Sequence, residues 1–245
     1  MRLRVLELAI PGLPAALDGL RIVHLSDFHL GIPSPGAVAV ARGVDWAAER
    51  APDLVCITGD LLTHPRGERR LRQLIRRLPQ PTFVVLGNHD YAIARDPLAR
   101  PSRLRELAPA QLLVGDGAML ELRGCSVWIA GSDARRSLQR ADPTALSRAA
   151  DLRILLDHFP RVFDRLQRSS FDLVLAGHMH DGQICLPFPG GKLRFAHLRA
   201  PYQVGVYRRP AGVMHVSAGL GTTFVPFRFA ARPEATELVL RAAVP

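Results

Sequence analysis

Short apolar runs rich in Val, Ile and Leu recur along the chain at Ile22 to Leu25, Leu54 to Thr58, Thr82 to Leu86 and Leu173 to Ala176. Their length and β-branched content predict buried strands of a sheet covered on both faces. Val127 to Ala130, Val213 to Ser217 and Glu237 to Leu240 predict further strands, and the alternating charged and apolar residues of Met1 to Ile10 predict a first one. Between these runs, Leu71, Leu74, Ile75 and Leu78 fall at helical spacing with Arg69, Arg70, Arg72, Arg76 and Arg77 around them, the pattern of an amphipathic crossover helix. Val40, Val44 and Ala47 predict a second helix, and Val162, Phe163 and Leu166 a third. Strand and helix therefore alternate through the first three quarters, which predicts a doubly layered α/β fold. Two segments break the alternation, Arg95 to Pro109 and the Pro-, Gly- and aromatic-rich Pro187 to Pro210. Both are expected to form rim loops that shape access to a site, although a hairpin covering a sheet edge suits Pro187 to Pro210 equally well.

The apolar runs end in residues that bind metals: Asp27-Phe28-His29, Gly59-Asp60, Gly87-Asn88-His89-Asp90 and Gly177-His178-Met179-His180, with His158 between the last two. In an open α/β sheet the carboxyl ends of the strands share one rim, so residues distant in sequence converge there. A polynuclear metal site is the simplest use of such a rim. Asp60 follows a glycine that lets the backbone approach closely. As a carboxylate it binds two cations better than a neutral side chain can, because it cancels part of their mutual repulsion. Asp60 is thus the expected bridging ligand. Burying this many carboxylates and imidazoles without a cation would be costly. The scattered His24, His64, His197 and His215 read instead as surface or satisfied core residues.

At 245 residues and 48% hydrophobic composition the chain can bury one substantial core, and a single domain over 1–245 is expected. No apolar window of about 18 residues is present, and Met1 to Ile10 lacks the continuous apolar segment of a secretory signal, so a cytoplasmic protein is expected. Cys56, Cys125 and Cys185 form no disulfide pattern; Cys56 and Cys185 read as packing residues. The net charge is +10, and Lys192 is the only lysine among 32 basic residues, which points to a GC-rich coding bias. Whatever its origin, the field attracts anionic phosphoesters or an anionic membrane face.

The ordered motifs from Leu20 to Arg241 resemble the calcineurin-like metallophosphoesterases. The resemblance implies a layered sandwich of two mixed β-sheets flanked by helices, and two divalent cations, for which Mn, Fe or Zn suit the donors. It implies one cation on Asp27, His29, Asp60 and His180 and the other on Asp60, Asn88, His158 and His178. His89, unbound to metal and paired with Asp90, is implied as proton donor and charge stabiliser, with Asp90 favouring its positive form. Two cations about 3.5 to 4 Å apart would hold a shared hydroxide in line with phosphorus. Ala176 to Gln183, Gly219 to Arg228 and Pro233-Glu234 resemble a bacterial branch of membrane-associated phosphodiesterases that includes UDP-2,3-diacylglucosamine hydrolases. Where branch members more often carry threonine and glycine, this chain has Met179 and Asp181, and the added carboxylate is expected to raise negative charge near the phosphate. Asp157-His158-Phe159-Pro160 replaces a commoner Ser-His-Asn-Pro. A lipid substrate would bring the arginine-rich helix near Leu71, or the Phe188, Phe195 and Tyr202 loop, to the inner face of an anionic membrane. The alternatives are a cyclic-nucleotide phosphodiesterase or a nuclease, favoured by basic charge but by no nucleic-acid module, and a scaffold that has lost its metals.

Overall fold

The structure, a computed structural model, describes residues 1–93, 96–139, 142–196 and 198–243. The chain begins with β1 (Arg2–Ile10) and β2 (Arg21–Leu25), followed by α1 (Gly36–Arg50), β3 (Leu54–Thr58), α2 (Glu68–Ile75), β4 (Thr82–Val85) and the short β5 (Gln111–Leu112). A hairpin of β6 (Asp116–Leu122) and β7 (Cys125–Gly131) leads to α3 (Ala134–Leu138), β8 (Leu152–Leu156) and β9 (Leu173–Ala176). The ribbon of β10 (Cys185–Phe188) and β11 (Gly191–Arg194), then β12 (Gly205–Arg209), β13 (Gly212–Val216) and β14 (Glu234–Ala242), complete the order. One six-stranded sheet runs β1-β14-β2-β3-β4-β5, and a second runs β12-β13-β9-β8-β7-β6. Both are mixed: β2, β3, β4 and β5 are parallel and β14 runs against β2, while β7, β8, β9 and β13 are parallel between antiparallel edges.

The period of two in each strand sorts side chains into layers. On β3, Leu54 and Cys56 point into the space between the sheets with Phe83, Val85, Ile154 and Leu175. Val55 and Ile57 point outward beneath Val40 and Val44 of α1 and Leu71 and Leu74 of α2. Each such fully buried side chain stabilises the fold by roughly 1.5–3 kcal/mol relative to exposure. The expected α/β sandwich of two mixed sheets is the observed architecture.

Two expectations need correction. The helix expected around Val162 to Leu166 is only a 3-10 turn, Pro160–Asp164. Proline at its first position suits a tight turn, and the outer face of the second sheet is covered by Phe163, Phe171 and Tyr202 rather than by a long helix. The strand–helix alternation also fails after β5, because Arg123 and Gly124, at φ 54° and 75°, make the primed type of turn that closes an antiparallel hairpin between β6 and β7. Of the two rim segments, Pro187 to Pro210 contains the β10–β11 ribbon, which stands apart from both sheets. The described part of the other, from Asp96 onward, is irregular; Arg95 lies outside the described residues, as does His197. Among the described residues no helix is long and apolar enough to cross a membrane.

Candidate metal centre

The carboxyl ends of β2, β3 and β4 in one sheet, and of β8 and β9 in the other, meet at one rim of the sandwich. Asp27 and His29 follow β2, Asp60 follows β3, Asn88 and His89 follow β4, His158 follows β8, and His178 and His180 follow β9. The chain turns sharply at each end. Asp27, His29, Asp60, His178 and His180 all adopt positive φ, between 47° and 70°. Non-glycine residues pay about 1–2 kcal/mol each for that conformation, and such strain collects at functional sites. Two glycines let the turns close on one another: a Cβ on Gly87 would lie 2.1 Å from Asp60 Oδ1, and one on Gly177 would lie 2.0 Å from Ser26 Oγ and 2.5 Å from Asp27 Oδ2.

The donor atoms form two groups that share one residue. Ligand atoms of Asp27, His29, Asp60 and His180 all lie within 4.8 Å of one another, as do those of Asp60, His158 and His178. Within the first group, His180 Nε2 is 3.2 Å from Asp27 Oδ1 and 3.0 Å from His29 Nε2, which in turn is 3.4 Å from Asp60 Oδ2. Within the second, His158 Nε2 is 3.2 Å from the same Asp60 oxygen, 3.0 Å from Asn88 Oδ1 and 3.2 Å from His178 Nδ1. Donors about 3 Å apart are what neighbours around a cation at roughly 2.1 Å would be. The outer ring nitrogens are tied back, His158 Nδ1 to the Thr58 carbonyl at 2.8 Å and His29 Nδ1 to Thr63 Oγ1 at 2.9 Å, which turns each Nε2 inward as metal ligation requires.

Electrostatics agree with this fit. Burial works against the Asp27 carboxylate, yet His180 and His158 hold it well below the usual range, and burial of Asp60 is likewise overcome by His158 and His29. Burial pushes His29 well below its ordinary value. Burial would lower His158 too, but Asp60, Asp27 and the Thr58 carbonyl raise it to about 10. With protein groups alone, the centre therefore draws a positive charge onto His158, where the donor set suits a divalent cation.

His89 lies beside these groups. Its backbone N–H donates to Asp60 Oδ1 at 2.9 Å, its Nε2 is 3.2 Å from Thr223 Oγ1, and its Nδ1 is buried without a hydrogen bond. The expected pairing with Asp90 is corrected. Asp90 is fully buried and accepts backbone N–H groups from Leu61, Leu62 and Gly87, clamping the loops after β3 and β4 together. Burial and nearby Asp60 push its carboxyl up to about 7, against the pull of those three donors. The carboxylate facing His89 is Asp96, whose Oδ2 lies 3.8 Å from Nδ1 and accepts from Thr223 Oγ1 and the Phe224 N–H. Burial lowers His89 below its ordinary value, and Asp60 and Asp96 offset part of that effect.

Asp181 is corrected as well. Its carboxylate is no free negative charge; it is buried and paired with Lys192 and Arg194 of the ribbon. Arg228 is a residue that sequence reasoning passed over. Its guanidinium donates to the carbonyls of Gly221, Ala218 and His180 and reaches His180 Nδ1 at 2.9 Å. Asp96 and Thr223 were missed because neither follows an apolar run; Thr223 and Arg228 do fall inside the Gly219 to Arg228 motif. Cys185 stands outside both donor groups, with its thiol on the Asp181 carbonyl. His24 and His215 are buried and bonded to each other at 2.8 Å, and His64 caps a turn by accepting from the Arg66 N–H.

From His178 a cavity of about 620 Å³ opens between Phe159, Tyr202 and Leu198, with Arg161, Arg165 and Arg199 on its walls. A centre of this make-up accords with what the whole sequence is similar to: residues 20–182 match the calcineurin-like phosphoesterase family model. The chain belongs to the calcineurin-like phosphoesterase family. The chain is 33% identical, over 97% of its length, to a transmembrane protein with metallophosphoesterase domain from Danio rerio, of which it covers 56%. It is 29% identical to the uncharacterized metallophosphoesterase YkoQ of Bacillus subtilis, over 92% of this chain and 84% of that one. It is also 29% identical to the UDP-2,3-diacylglucosamine pyrophosphatase LpxG of Chlamydia trachomatis, over 77% of this chain and 72% of the relative. The chain thus spans little more than half of the Danio protein and most of the two bacterial ones.

Proposed function

We propose that this phosphoesterase works with two divalent cations, Mn, Fe or Zn, and hydrolyses a phosphodiester or pyrophosphate bond. Asp27, His29, Asp60 and His180 would hold one cation, and Asp60, Asn88, His158 and His178 the other. The observation that carries this is Asp60 Oδ2, which lies 3.4 Å from His29 Nε2 and 3.2 Å from His158 Nε2 and so belongs to both donor groups. When bound, such cations acidify water for attack and neutralise phosphoryl oxygens. The protein groups do the rest. Asp90 holds the loops that carry Asp60 and Asn88 in register. His89, steadied by Thr223 and Asp96, faces the phosphate side and supplies a proton to the leaving oxygen. Residues 1–245 act as one domain in this reading, since both sheets share the core from which the site's loops emerge.

The substrate side favours a bulky anionic ester. The cavity beside His178 offers aromatic and aliphatic walls with three arginines, which suits a phosphoester continuing into an apolar or nucleoside group. Similarity to the Chlamydia pyrophosphatase supports a lipid-linked nucleotide such as UDP-2,3-diacylglucosamine. The test is metal analysis of the purified chain followed by turnover of bis-p-nitrophenyl phosphate with added Mn, then of UDP-linked lipid against cyclic nucleotides and short DNA. Metal uptake with hydrolysis of the first substrate is expected; a fully loaded chain without hydrolysis would refute the proposal.

A further inference from the structure

Five of the chain's ten phenylalanines, Phe188, Phe195, Phe224, Phe227 and Phe229, are 52–59% exposed; Phe224 sits against His89, and the others lie on or beside the ribbon and in the segment after β13. Register explains why three of them share one face. Leu186 pairs with Leu193 and Phe188 with Gly191 across the β10–β11 ribbon, so Leu186, Phe188 and Leu193 point the same way. The Phe195 N–H donates to the Ile184 carbonyl, and Ile184 bridges Phe229, whose N–H and carbonyl bond Gln183 and Cys185. Phe195 and Phe229 thereby extend the same face. The opposite face carries Cys185, Lys192 and Arg194, and the two cations grip Asp181, next to the ligand His180. The ribbon is thus bolted to the centre by ion pairs while presenting an unbroken apolar surface outward. Soluble proteins seldom expose large side chains in such a cluster without a partner.

We propose that this face docks onto an anionic phospholipid surface, with Leu186, Phe188, Leu193, Phe195 and Phe229 entering the headgroup region. Charge selects that occupant. Residues 184–233 contain no Asp or Glu, and of their seven Lys and Arg, Lys192 and Arg194 are held by Asp181, Arg209 by Asp164 and Arg228 against His180, which leaves Arg199, Arg208 and Arg232 exposed. A second copy would set these cations against their own kind, and a nucleic acid would satisfy the arginines but leave Leu186 and Leu193 in water. A lipid surface satisfies both, since polybasic and apolar contacts add. The contacts expected from sequence narrow to the ribbon. Tyr202 is buried and donates to Asp164, and of the arginines on and after α2, Arg72 pairs with Glu68 and Arg77 with Asp45, so Tyr202 stays out of the contact and the charge of α2 is partly neutralised within the fold. Because Phe224 packs edge-on against His89, a docked chain turns its centre toward the lipid. Taking the substrate from that surface rests on the hydrolase proposal, whereas docking itself does not.

The experiment compares sedimentation of the full chain with vesicles of phosphatidylcholine alone and with phosphatidylglycerol added. Wild type is expected to bind the anionic vesicles. The variant Leu186→Ser/Phe188→Ser/Leu193→Ser should lose about tenfold or more in binding while keeping the wild-type circular dichroism spectrum and a cooperative melt, which shows that it folds. Arg199→Glu/Arg232→Glu should weaken binding too. In Phe188→Trp, brominated acyl chains should quench the introduced indole above the signal of Trp46 and Trp128. The proposal is overturned by absence of wild-type binding, by equal binding of the serine variant, by an unquenched indole, or by a dimer that the serine variant dissolves. Binding is read without turnover, so its failure leaves the hydrolase proposal standing.

Discussion

Replacing Gly87 by alanine probes the shared carboxylate without touching a ligand. The new Cβ would sit 2.1 Å from Asp60 Oδ1, against ordinary contact from 3.4 Å, so Asp60 must retreat by about 1.3 Å. Metal sites tolerate departures of only ~0.2 Å in donor position. The retreat also breaks the 2.9 Å bond from the His89 N–H to the same oxygen. Because Asp60 serves both donor groups, both cations should suffer, with binding at least ~100-fold weaker by the scale of changes that displace ligands. The stripped protein should lose only ~1–3 kcal/mol, as overpacked cores do. Titration calorimetry of Mn into stripped protein, beside a thermal melt, measures both. Gly124→Ala is the control: Gly124 has φ 75° and an added Cβ meets nothing within 4 Å, so it should cost about 1 kcal/mol of backbone strain and leave metal affinity alone. Wild-type affinity in Gly87→Ala would mean that Asp60 is not the shared ligand.

Asp60→Ala should abolish metal uptake and activity together, whereas His89→Ala should keep its metal and slow turnover by ~10² to 10⁴; equal metal loss in the two variants sinks the division of roles. Asp96→Asn keeps a group of the same shape beside Thr223 and Phe224 but removes the charge facing His89. With metal content unchanged, kcat should fall about tenfold, and more on alkyl than on p-nitrophenyl esters if Asp96 positions a proton donor; a uniform loss would mark it as merely structural. His158 gives the pH dependence. Its pKa is raised from 6.5 to about 10, so its imidazolium stabilises the stripped fold fully below the lower value, and that contribution is lost as pH rises through the upper one. Between those limits a cation must displace the proton, so affinity should rise up to about tenfold per pH unit. Calorimetry at pH 8 in buffers of different ionisation heat reads the released proton, and heats independent of buffer would contradict it.

Much of the fold lies in the local pattern. The runs at Ile22, Leu54, Thr82 and Leu173 are short, β-branched and bounded by Gly, Asp or Pro, so strand identity and end are set by neighbours in sequence. The donors at those ends were legible for the same reason. Long-range partners were not. Nothing near Asp90 in sequence reveals that its oxygens face Leu61 and Leu62, and Asp96 meets Thr223 and Phe224 only because the loops after β4 and β13 close over one another. Asp181 looked like free charge because Lys192 and Arg194 reach it only once the ribbon folds back. The helix expected at Val162 failed because a few apolar residues within five positions suit one tight turn as well as a helix. Alternation of exposed and half-buried residues across the ribbon was legible only after the register was known, since Pro187 and Pro189 hide the strand pattern.

The central claim is that two cations share Asp60, and electron paramagnetic resonance of the Mn-loaded chain tests it most directly. Two Mn per chain with an exchange-coupled spectrum, replaced in Asp60→Asn by uncoupled signal or none, is the result expected. One Mn per chain, or only the signal of isolated ions in wild type, would contradict it.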